Sequence, residues 1–452
     1  MMDSEGTEKH DRRTIVMVLI AAALLWAPVL DLGPLSDDHQ RIVEAAGGVE
    51  HQLAWFTEPL PGVRPPLPDA VSPKLYRPVW RMAFVVDRAL LPMGWWAPRL
   101  LVVLVHLLGT MALWGLLRSY RLAPSVAVGA AALFAVNPWQ VEAVGWVSAQ
   151  GVGLAALFVM LAGQLRTRPR LAFALLILAG STRESGLLAP LMAACWLFFD
   201  DNQKNRGFVV AAAGVALGFA AMRVYLFNTP IGGFTDLRWL VTAPGGVAIL
   251  AKHALAALSP LPGPVVGTAG VLLGAGISAV LGALALRSEN RKVAVGALGW
   301  LIVANLPYQR VTTDPFTGAQ GRFAAESAAP LALLWALGIA TLPKQAQKPL
   351  GMAMISLLAC ATLVRQHQLG VAIGESEALK TALAVHPGSG TVAVPEHHLG
   401  FPLRPGLWPW AAQQPWTQNT TASPWTVVAE GEAADLHWCG PLEGLVPGCD
   451  PL

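Results

Sequence analysis

The chain has 452 residues, of which 54% are hydrophobic and 13% charged, and its formal net charge is +3. Because soluble domains carry about a quarter charged residues, this composition excludes an ordinary soluble protein. The small net charge gives no indication of a nucleic-acid partner. The length accommodates about eleven membrane spans of ~20 residues and one modest extramembrane piece.

The first apolar run, Thr14–Leu30, follows Arg12 and Arg13 and has the flanks of a signal peptide. No small-residue cleavage site comes after it, so we predict a retained signal-anchor helix. Residues 1–13 are then a cytoplasmic N-terminus.

Residues 31–96 are predicted to form an outer loop that begins with a helix lying on the membrane. Ser36 can cap this helix, whose first turn contains Asp37 and Asp38, because the helix dipole and free N–H groups favour acids there. Apolar residues recur near one face as far as Phe56, which is typical of an amphipathic interfacial helix.

A Pro-rich connection, Val63–Pro73, separates this helix from a second one. Tyr76–Leu91 is predicted to be the second interfacial helix, with Arg77 and Asp87 among its polar residues. The outer loop therefore carries two helices on the membrane surface.

Ten further apolar runs are predicted to span the membrane. Several are shorter than the ~20 residues of a perpendicular span, and short helices at membrane depth are tolerated around protein-lined, wet cavities. The runs are Ala97–Leu117, Pro124–Val136, Gly151–Leu165, Leu171–Thr182, Ser185–Phe199, Phe208–Phe227, Val265–Leu286, Val293–Leu306, Ala328–Leu342 and Gly351–Val364.

Lysine and arginine concentrate in six short connections, and placing all six in the cytoplasm gives one consistent topology. It puts the N-terminus inside and the C-terminus outside, with Val247–Leu258 as a half-helix on the outer face. Acids and arginines that interrupt the apolar runs then all lie on the outer face. A charge near hydrocarbon is costly unless it faces a wet, functional cavity, so we expect one hydrophilic chamber there.

Residues 366–452 are predicted to form a small extracytoplasmic C-terminal domain. Thr391–Val394 and Trp425–Ala429 are expected to be short strands. Cys439 and Cys449 can form a disulfide if this domain lies in an oxidising compartment.

Several short motifs occur in an order that resembles a known family. Over residues 14–365, the chain resembles the GT-C class of integral-membrane glycosyltransferases. It is most similar to the transmembrane, tetratricopeptide-repeat O-mannosyltransferases and their bacterial relatives, although the repeats are absent. The motifs are Ser36–His39, Tyr76–Val79, Asn137–Val144, Ser181–Gly186 and Gly321–Phe323.

The resemblance implies an all-α membrane protein, a GT-C-like bundle of about eleven transmembrane helices with two outer-face interfacial helices. It implies transfer of a sugar, a mannose-like hexose or a pentose, from a polyprenyl-phosphate donor to an outer-face protein, glycan or lipid. A bacterial inner membrane is the expected location. The chain departs from the family pattern where Asn137 and Gln140 replace a pair of His, and where Arg183 replaces Lys.

Inverting sugar transfer needs a carboxylate that takes the proton of the acceptor hydroxyl. The resemblance places an acid of the first outer loop in this role, which we assign to Asp38, with Asp37 assisting. Glu142 either orients the acceptor or acts with Asp38. The alternative is that Asp37 and Asp38 only begin the interfacial helix.

Three arginines on the predicted chamber side are candidates to bind the phosphate of the donor, because the guanidinium fork matches phosphate oxygens. Arg77 can instead reach lipid headgroups, Arg183 can form a buried pair with Glu184, and Arg322 can be solvated. The supporting residues predicted around these groups are Tyr76, Glu184, Trp139 and His39.

No cofactor is expected. A divalent metal at Asp37, Asp38 and His39 is the alternative, although adjacent residues of one helical turn rarely converge on one ion. No phosphate-binding glycine loop occurs, which disfavours nucleotide-sugar donors. Two other functions stay open: a transporter or scramblase of lipid phosphates, and a catalytically weakened relative that acts as an assembly partner.

Overall fold

The chain is described by a computed structural model that covers most of its length. The described residues are 3–35, 38, 41–42, 45–57, 76–183, 206–227, 246–305, 314–319, 321–385, 390–394, 397–398, 401–402, 425–429, 436–438 and 445–446.

Helices dominate these ranges. In chain order they are α1 (Asp3–Trp26), α2 (Val49–Ala54), α3 (Pro78–Leu90), α4 (Trp96–Ser119), α5 (Pro124–Ala135), α6 (Gln140–Gly145), α7 (Gly151–Gln164), α8 (Pro169–Thr182), α9 (Arg206–Phe227), α10 (Gly246–Leu258), α11 (Gly263–Arg287), α12 (Arg291–Asn305), α13 (Gly321–Ala324), α14 (Ala328–Ala340) and α15 (Lys344–Val385). Short 3-10 turns occupy Ala27–Asp31, Leu91–Met93, Val147–Ala149 and Ala325–Ser327.

Within the described ranges, seven helical stretches are long and apolar enough to cross a membrane, and two shorter apolar helices, α5 and α8, accompany them. The predicted class, a multi-pass helical membrane protein, is confirmed. The predicted number of about eleven spans stays a prediction, because Ser185–Phe199 lies outside the described residues. The half-helix predicted at Val247–Leu258 corresponds to α10.

The core of the bundle surrounds α14, whose residues from Ala328 to Ile339 are all buried. This helix packs against α5, α11 and α12. Alanine and glycine let the backbones approach closely: a Cβ added to Gly338 would collide with the carbonyl group of Leu281 in α11. Trp335 donates its indole N–H to the hydroxyl oxygen of Ser278 at 3.0 Å.

The two ends of the bundle differ in the residues that lie there. At one end, Asp11 of α1 forms a 2.8 Å ion pair with Arg118 of α4. At the other end, α1, α5 and α8 finish while α4, α7 and α14 begin. Those predicted catalytic, phosphate-binding and supporting residues that the structure describes lie at this second end. Which end faces the cytoplasm stays a prediction.

The first interfacial helix differs from the continuous helix predicted as far as Phe56, and that prediction is wrong. Helical structure at Arg41–Ile42 is followed by a turn, and α2 begins only after Gly48. Two consecutive glycines, Gly47 and Gly48, explain the break, because glycine disfavours the helix interior by about 1 kcal/mol per residue. The second interfacial helix, α3, begins at Pro78, where the fixed backbone angle of proline suits a first helical turn.

Helix α15 runs without interruption through the predicted domain boundary at 365/366 and ends at Val385. A small sheet follows, in the order β4-β1-β5-β6, with β1 parallel to β4 and β5. The strands are β1 (Gly390–Val394), β2 (His397–His398), β3 (Phe401–Pro402), β4 (Trp425–Ala429), β5 (Leu436–Trp438) and β6 (Leu445–Val446). The strands predicted at Thr391–Val394 and Trp425–Ala429 are confirmed by β1 and β4. The disulfide predicted between Cys439 and Cys449 falls outside the described residues.

Candidate active site

The site is built on the buried segment Asn137–Gln150, which connects α5 to α7. The side-chain oxygen of Asn137 accepts the backbone N–H of Trp139 at 3.0 Å and so starts α6. Gln140 donates its amide to the carbonyl of Ala325 at 2.9 Å. The side-chain amides of Asn137 and Gln140 therefore hold this segment in place. Trp139, predicted as a supporting residue, anchors it further by donating its indole N–H to the carbonyl of Ser259 at 2.7 Å.

Asp38 is fully buried and is held against this segment. Its Oδ1 accepts the backbone N–H of Ser148 at 2.7 Å, and its Oδ2 accepts that of Leu35 at 2.9 Å. Two backbone donors stabilise the charged form of a carboxylate. Asp38 is thus positioned as an ionised acid at the helix ends. Asp37 and His39 lie outside the described residues.

Arg99, near the start of α4, was not among the predicted site residues, but it connects two segments of the site. Its guanidinium is fully buried and donates to three backbone carbonyls, those of Leu32, Gly33 and Gly145. It joins Leu32 and Gly33, in the loop that precedes Asp38, to the segment that carries Glu142. The guanidinium also lies within electrostatic reach of Asp38.

Cations gather around Trp80 of α3. The Trp80 indole N–H donates to the carbonyl of Ser148 at 2.9 Å. The guanidinium carbons of Arg41 and Arg77 lie 5.2 Å and 5.5 Å from its ring, within cation–π distance. Arg77, a predicted phosphate ligand, therefore lies on the same tryptophan that supports the turn bound by Asp38.

Tyr76, predicted as a supporting residue, ties α3 to the first interfacial helix. Its hydroxyl donates to the carbonyl of Phe56 at 2.9 Å. Burial raises the pKa of Tyr76 above its usual value, so the phenol stays neutral.

Glu142 and Arg322, predicted to act separately, are bound to each other. Glu142 accepts the backbone N–H of Arg322 at 3.0 Å through Oε2 and pairs with its guanidinium through Oε1. The Glu142 side chain is 1% exposed and that of Arg322 is 20% exposed. The guanidinium carbon of Arg322 also lies 4.6 Å from the ring of Trp146. A proposed catalytic acid and a proposed phosphate ligand thus neutralise one another.

Arg183 forms a second buried pair, but with a partner that the sequence analysis did not identify. Its Nε lies 2.9 Å from Oε1 of Glu326, and both side chains are almost fully buried. The predicted partner, Glu184, lies outside the described residues. Phe323 connects the two pairs, since the guanidinium carbons of Arg183 and Arg322 lie 5.0 Å and 4.6 Å from its ring.

Asp87 is a further acid of the site. It was predicted to be a polar residue of an interfacial helix, but it is fully buried, and its Oδ2 accepts the side-chain N–H of Gln150 at 2.6 Å. Burial, and to a smaller extent the charge of Asp38, raise the pKa of Asp87 to about 7, although the hydrogen bond from Gln150 lowers it. The spacing of Trp80, Phe84 and Asp87, at i, i+4 and i+7, is the signal that places them on one buried helix face.

A third ion pair lies at the edge of the site and is more exposed. Lys252 of α10 pairs with Asp314 at 2.8 Å, with side chains 44% and 22% exposed. Burial alone would raise the pKa of Asp314. Hydrogen bonds from Lys252, Phe316 and Thr317 together lower it by more than burial raises it, so the net pKa is below the usual value. Among the described residues, no group of three or more His, Cys, Asp and Glu side chains could hold a metal ion.

No family model matches the chain, and no curated protein matches it. Three solved structures are similar in fold. Arabinofuranosyltransferase AftD from Mycobacteria has 16% identity and a TM-score of 0.46, over 92% of this chain and 32% of its own. ArnT from Cupriavidus metallidurans, bound to undecaprenyl phosphate, has 14% identity and a TM-score of 0.46, over 87% of this chain and 84% of its own.

The third is the oligosaccharyltransferase of Archaeoglobus fulgidus, tethered to an acceptor peptide, with 13% identity and a TM-score of 0.44. That match covers 85% of this chain and 62% of the other. The chain therefore spans about a third of the length of AftD and most of the length of ArnT.

Proposed function

We propose that this protein is a GT-C-like membrane glycosyltransferase that moves a sugar from a polyprenyl-phosphate donor to an acceptor on the outer face of the membrane. One observation carries the proposal. A buried carboxylate, Asp38, is held by two backbone N–H groups at the end of the bundle where Arg77, Arg183 and Arg322 also gather.

In the proposed reaction, an acceptor hydroxyl attacks the anomeric carbon of the donor sugar. The bond between that carbon and the phosphate oxygen breaks, and the lipid phosphate leaves with the electron pair. Asp38 takes the proton of the attacking hydroxyl as general base. Because its two oxygens are fixed by Leu35 and Ser148, the carboxylate does not need to be ordered during the reaction.

The leaving phosphate needs positive charge where its own charge develops. We assign this role to Arg77 and Arg322, because both are partly accessible whereas Arg183 is almost fully buried. Arg183 and Glu326 lie one layer deeper, where they hold Phe323 against Arg322. Donor binding then requires the phosphate to share or displace the contact between Arg322 and Glu142.

The sugar is a mannose-like hexose or a pentose, and the acceptor is a protein, glycan or lipid. Glu142, freed from Arg322 by the donor phosphate, orients the acceptor hydroxyl. The basic loops support an orientation with the site on the outer face, and the resemblance to bacterial relatives supports a bacterial inner membrane.

The test is a transfer assay with purified full-length protein in vesicles and radiolabelled polyprenyl-phosphate sugars. We expect release of sugar from at least one donor onto an extracted acceptor fraction. Arg77→Gln and Arg322→Gln should each raise KM for the donor about tenfold or more, since each loses a charge-assisted contact. Labelled lipid that crosses the vesicle membrane with its sugar bond intact would instead establish the transporter alternative.

A further inference from the structure

Asp87 of α3 is a buried acid that the proposed reaction does not use. It is fully buried, and its only described hydrogen bond joins Oδ2 to the side-chain N–H of Gln150 at 2.6 Å. Among the described residues, nothing pairs with its other oxygen, Oδ1. A buried polar atom without a partner costs about 1–3 kcal/mol, so such a group calls for a function.

The partner of Asp87 belongs to the turn that holds Asp38. Gln150 is two residues after Ser148, whose backbone N–H donates to Asp38 at 2.7 Å. At the carbonyl of the same residue, in the next peptide unit, Trp80 donates its indole N–H to Ser148 at 2.9 Å. Helix α3 therefore forms two hydrogen bonds with this turn, one through Trp80 and one through Asp87.

Hydrogen-bond partners assign different charge states to the two acids. Asp38 accepts two backbone N–H bonds and lies near the guanidinium of Arg99, which stabilises a carboxylate. Asp87 has one neutral amide donor and, within the described part of the chain, no cationic partner at its carboxyl group, and the charge of Asp38 opposes a second negative charge beside it. Environments that separate two acids in this way commonly distinguish their roles in an active site.

We propose that Asp87, as a neutral carboxylic acid, is a positioning residue that fixes Gln150 and thereby the Ser148 N–H that orients Asp38. The proposal rests on the proposed function, in which Asp38 is the general base. It adds a residue from the second interfacial helix to the machinery that the family motifs indicate. Asp87 acts through Gln150 and does not contact the substrate.

The first test compares Asp87→Asn, Asp87→Ala and Gln150→Ala in the full-length protein in the transfer assay. We expect both alanine variants to lower kcat about 10- to 100-fold with KM for the donor within about twofold, as for other lost supporting contacts. Asp87→Asn should keep at least about a third of the wild-type kcat, because its amide can accept from Gln150 as a neutral acid does.

Two results would overturn the proposal. Wild-type kcat in Asp87→Ala would show that the contact positions nothing. Equal losses in Asp87→Asn and Asp87→Ala would show that the reaction needs a charge at this position. If Asp87→Ala does not fold, Gln150→Ala carries the same comparison, because it leaves Asp87 in place.

A spectroscopic test is independent of activity. Infrared spectra of the wild type at about pH 6 should contain the C=O band of a protonated carboxyl group, one unit below the pKa of Asp87. Asp87→Asn should remove this band, whereas Asp38→Asn should keep most of it, because burial raises the pKa of Asp87 more than the charge of Asp38 does. A band unaffected by Asp87→Asn would refute the inference, whatever the transfer assay shows. Full transfer by Asp38→Asn would refute the proposed base and leave the infrared result standing.

Discussion

Glu142 binds Arg322 through both carboxylate oxygens, one to its backbone N–H and one to its guanidinium. The residues come from α6 and α13, and the Glu142 side chain is 1% exposed. The acid and the cation, to which the sequence assigned separate roles, therefore form an ion pair with each other. The carboxylate of Glu142 thus neutralises Arg322 at the place where the donor phosphate is proposed to bind.

This pairing predicts a measurable coupling. Glu142→Gln, Arg322→Gln and the double variant should show a coupling energy of about 1–3 kcal/mol in detergent-solubilised unfolding experiments, because each single change leaves a charge without its partner. The exposed pair Lys252–Asp314 is the matched control, and its coupling should be at most about 1 kcal/mol. Equal coupling in the two pairs would contradict the account.

Arg183→Lys is expected to impair the proposed sugar transfer although it keeps the charge and restores the residue type of the resembled family. Arg183 uses its Nε to bind Glu326 while its guanidinium faces the ring of Phe323. A lysine ammonium reproduces neither the fork nor the flat face. The kcat/KM of transfer should fall about tenfold. Unchanged kcat/KM in Arg183→Lys would show that charge alone is needed there.

Arg99→Lys should be among the most harmful single changes at the site. One ammonium group cannot reproduce the fork with which the buried guanidinium donates to Leu32, Gly33 and Gly145. Losing these contacts leaves buried carbonyl groups without donors, at about 1–3 kcal/mol each. We expect a lower melting temperature in detergent together with loss of transfer. A variant with wild-type melting temperature and activity would refute the role of Arg99 as a clamp.

Stability should depend on pH through Asp87. Its folded pKa is about 7, whereas its ordinary value is 3.8. Below about pH 4 both the folded and unfolded forms are protonated, and between about pH 4 and pH 7 only the folded form keeps the proton, so stability falls as pH rises. The full loss corresponds to about 4 kcal/mol. Asp87→Asn should flatten the decline in melting temperature between those pH values, and an unchanged decline would contradict the assignment.

Much of the site was predictable because certain charges interrupt apolar runs at the ends of helices. Asp38, Glu142 and Arg183 were identified in this way and Arg322 through the resemblance of its motif, and the structure brings all four to one end of the bundle. Their pairing was not predictable. Glu326 is distant from Arg183 in sequence, and nothing in its neighbourhood distinguishes it from an acid on a helix surface.

Two further residues make contacts with distant parts of the chain that the local sequence pattern does not reveal. Arg99 lies in the first turn of a membrane helix, where an arginine is usually read as an interfacial anchor, and its three carbonyl partners are known only once the loops are folded. Asp87 lies among polar residues of an amphipathic helix, and its burial depends on the turn at Ser148 that covers it. The break at Gly47–Gly48, in contrast, could have been inferred from helix propensity alone.

The most direct test of the central claim is single-turnover sugar transfer by Asp38→Asn, with donor binding measured in parallel. Asparagine fits the same space and keeps one oxygen for a backbone N–H, but its NH2 group can neither accept the second backbone N–H nor take a proton from an acceptor hydroxyl. We predict that Asp38→Asn binds polyprenyl-phosphate sugar as tightly as the wild type and transfers it about 100- to 10,000-fold more slowly. Transfer at the wild-type rate would contradict the assignment of Asp38 as the general base.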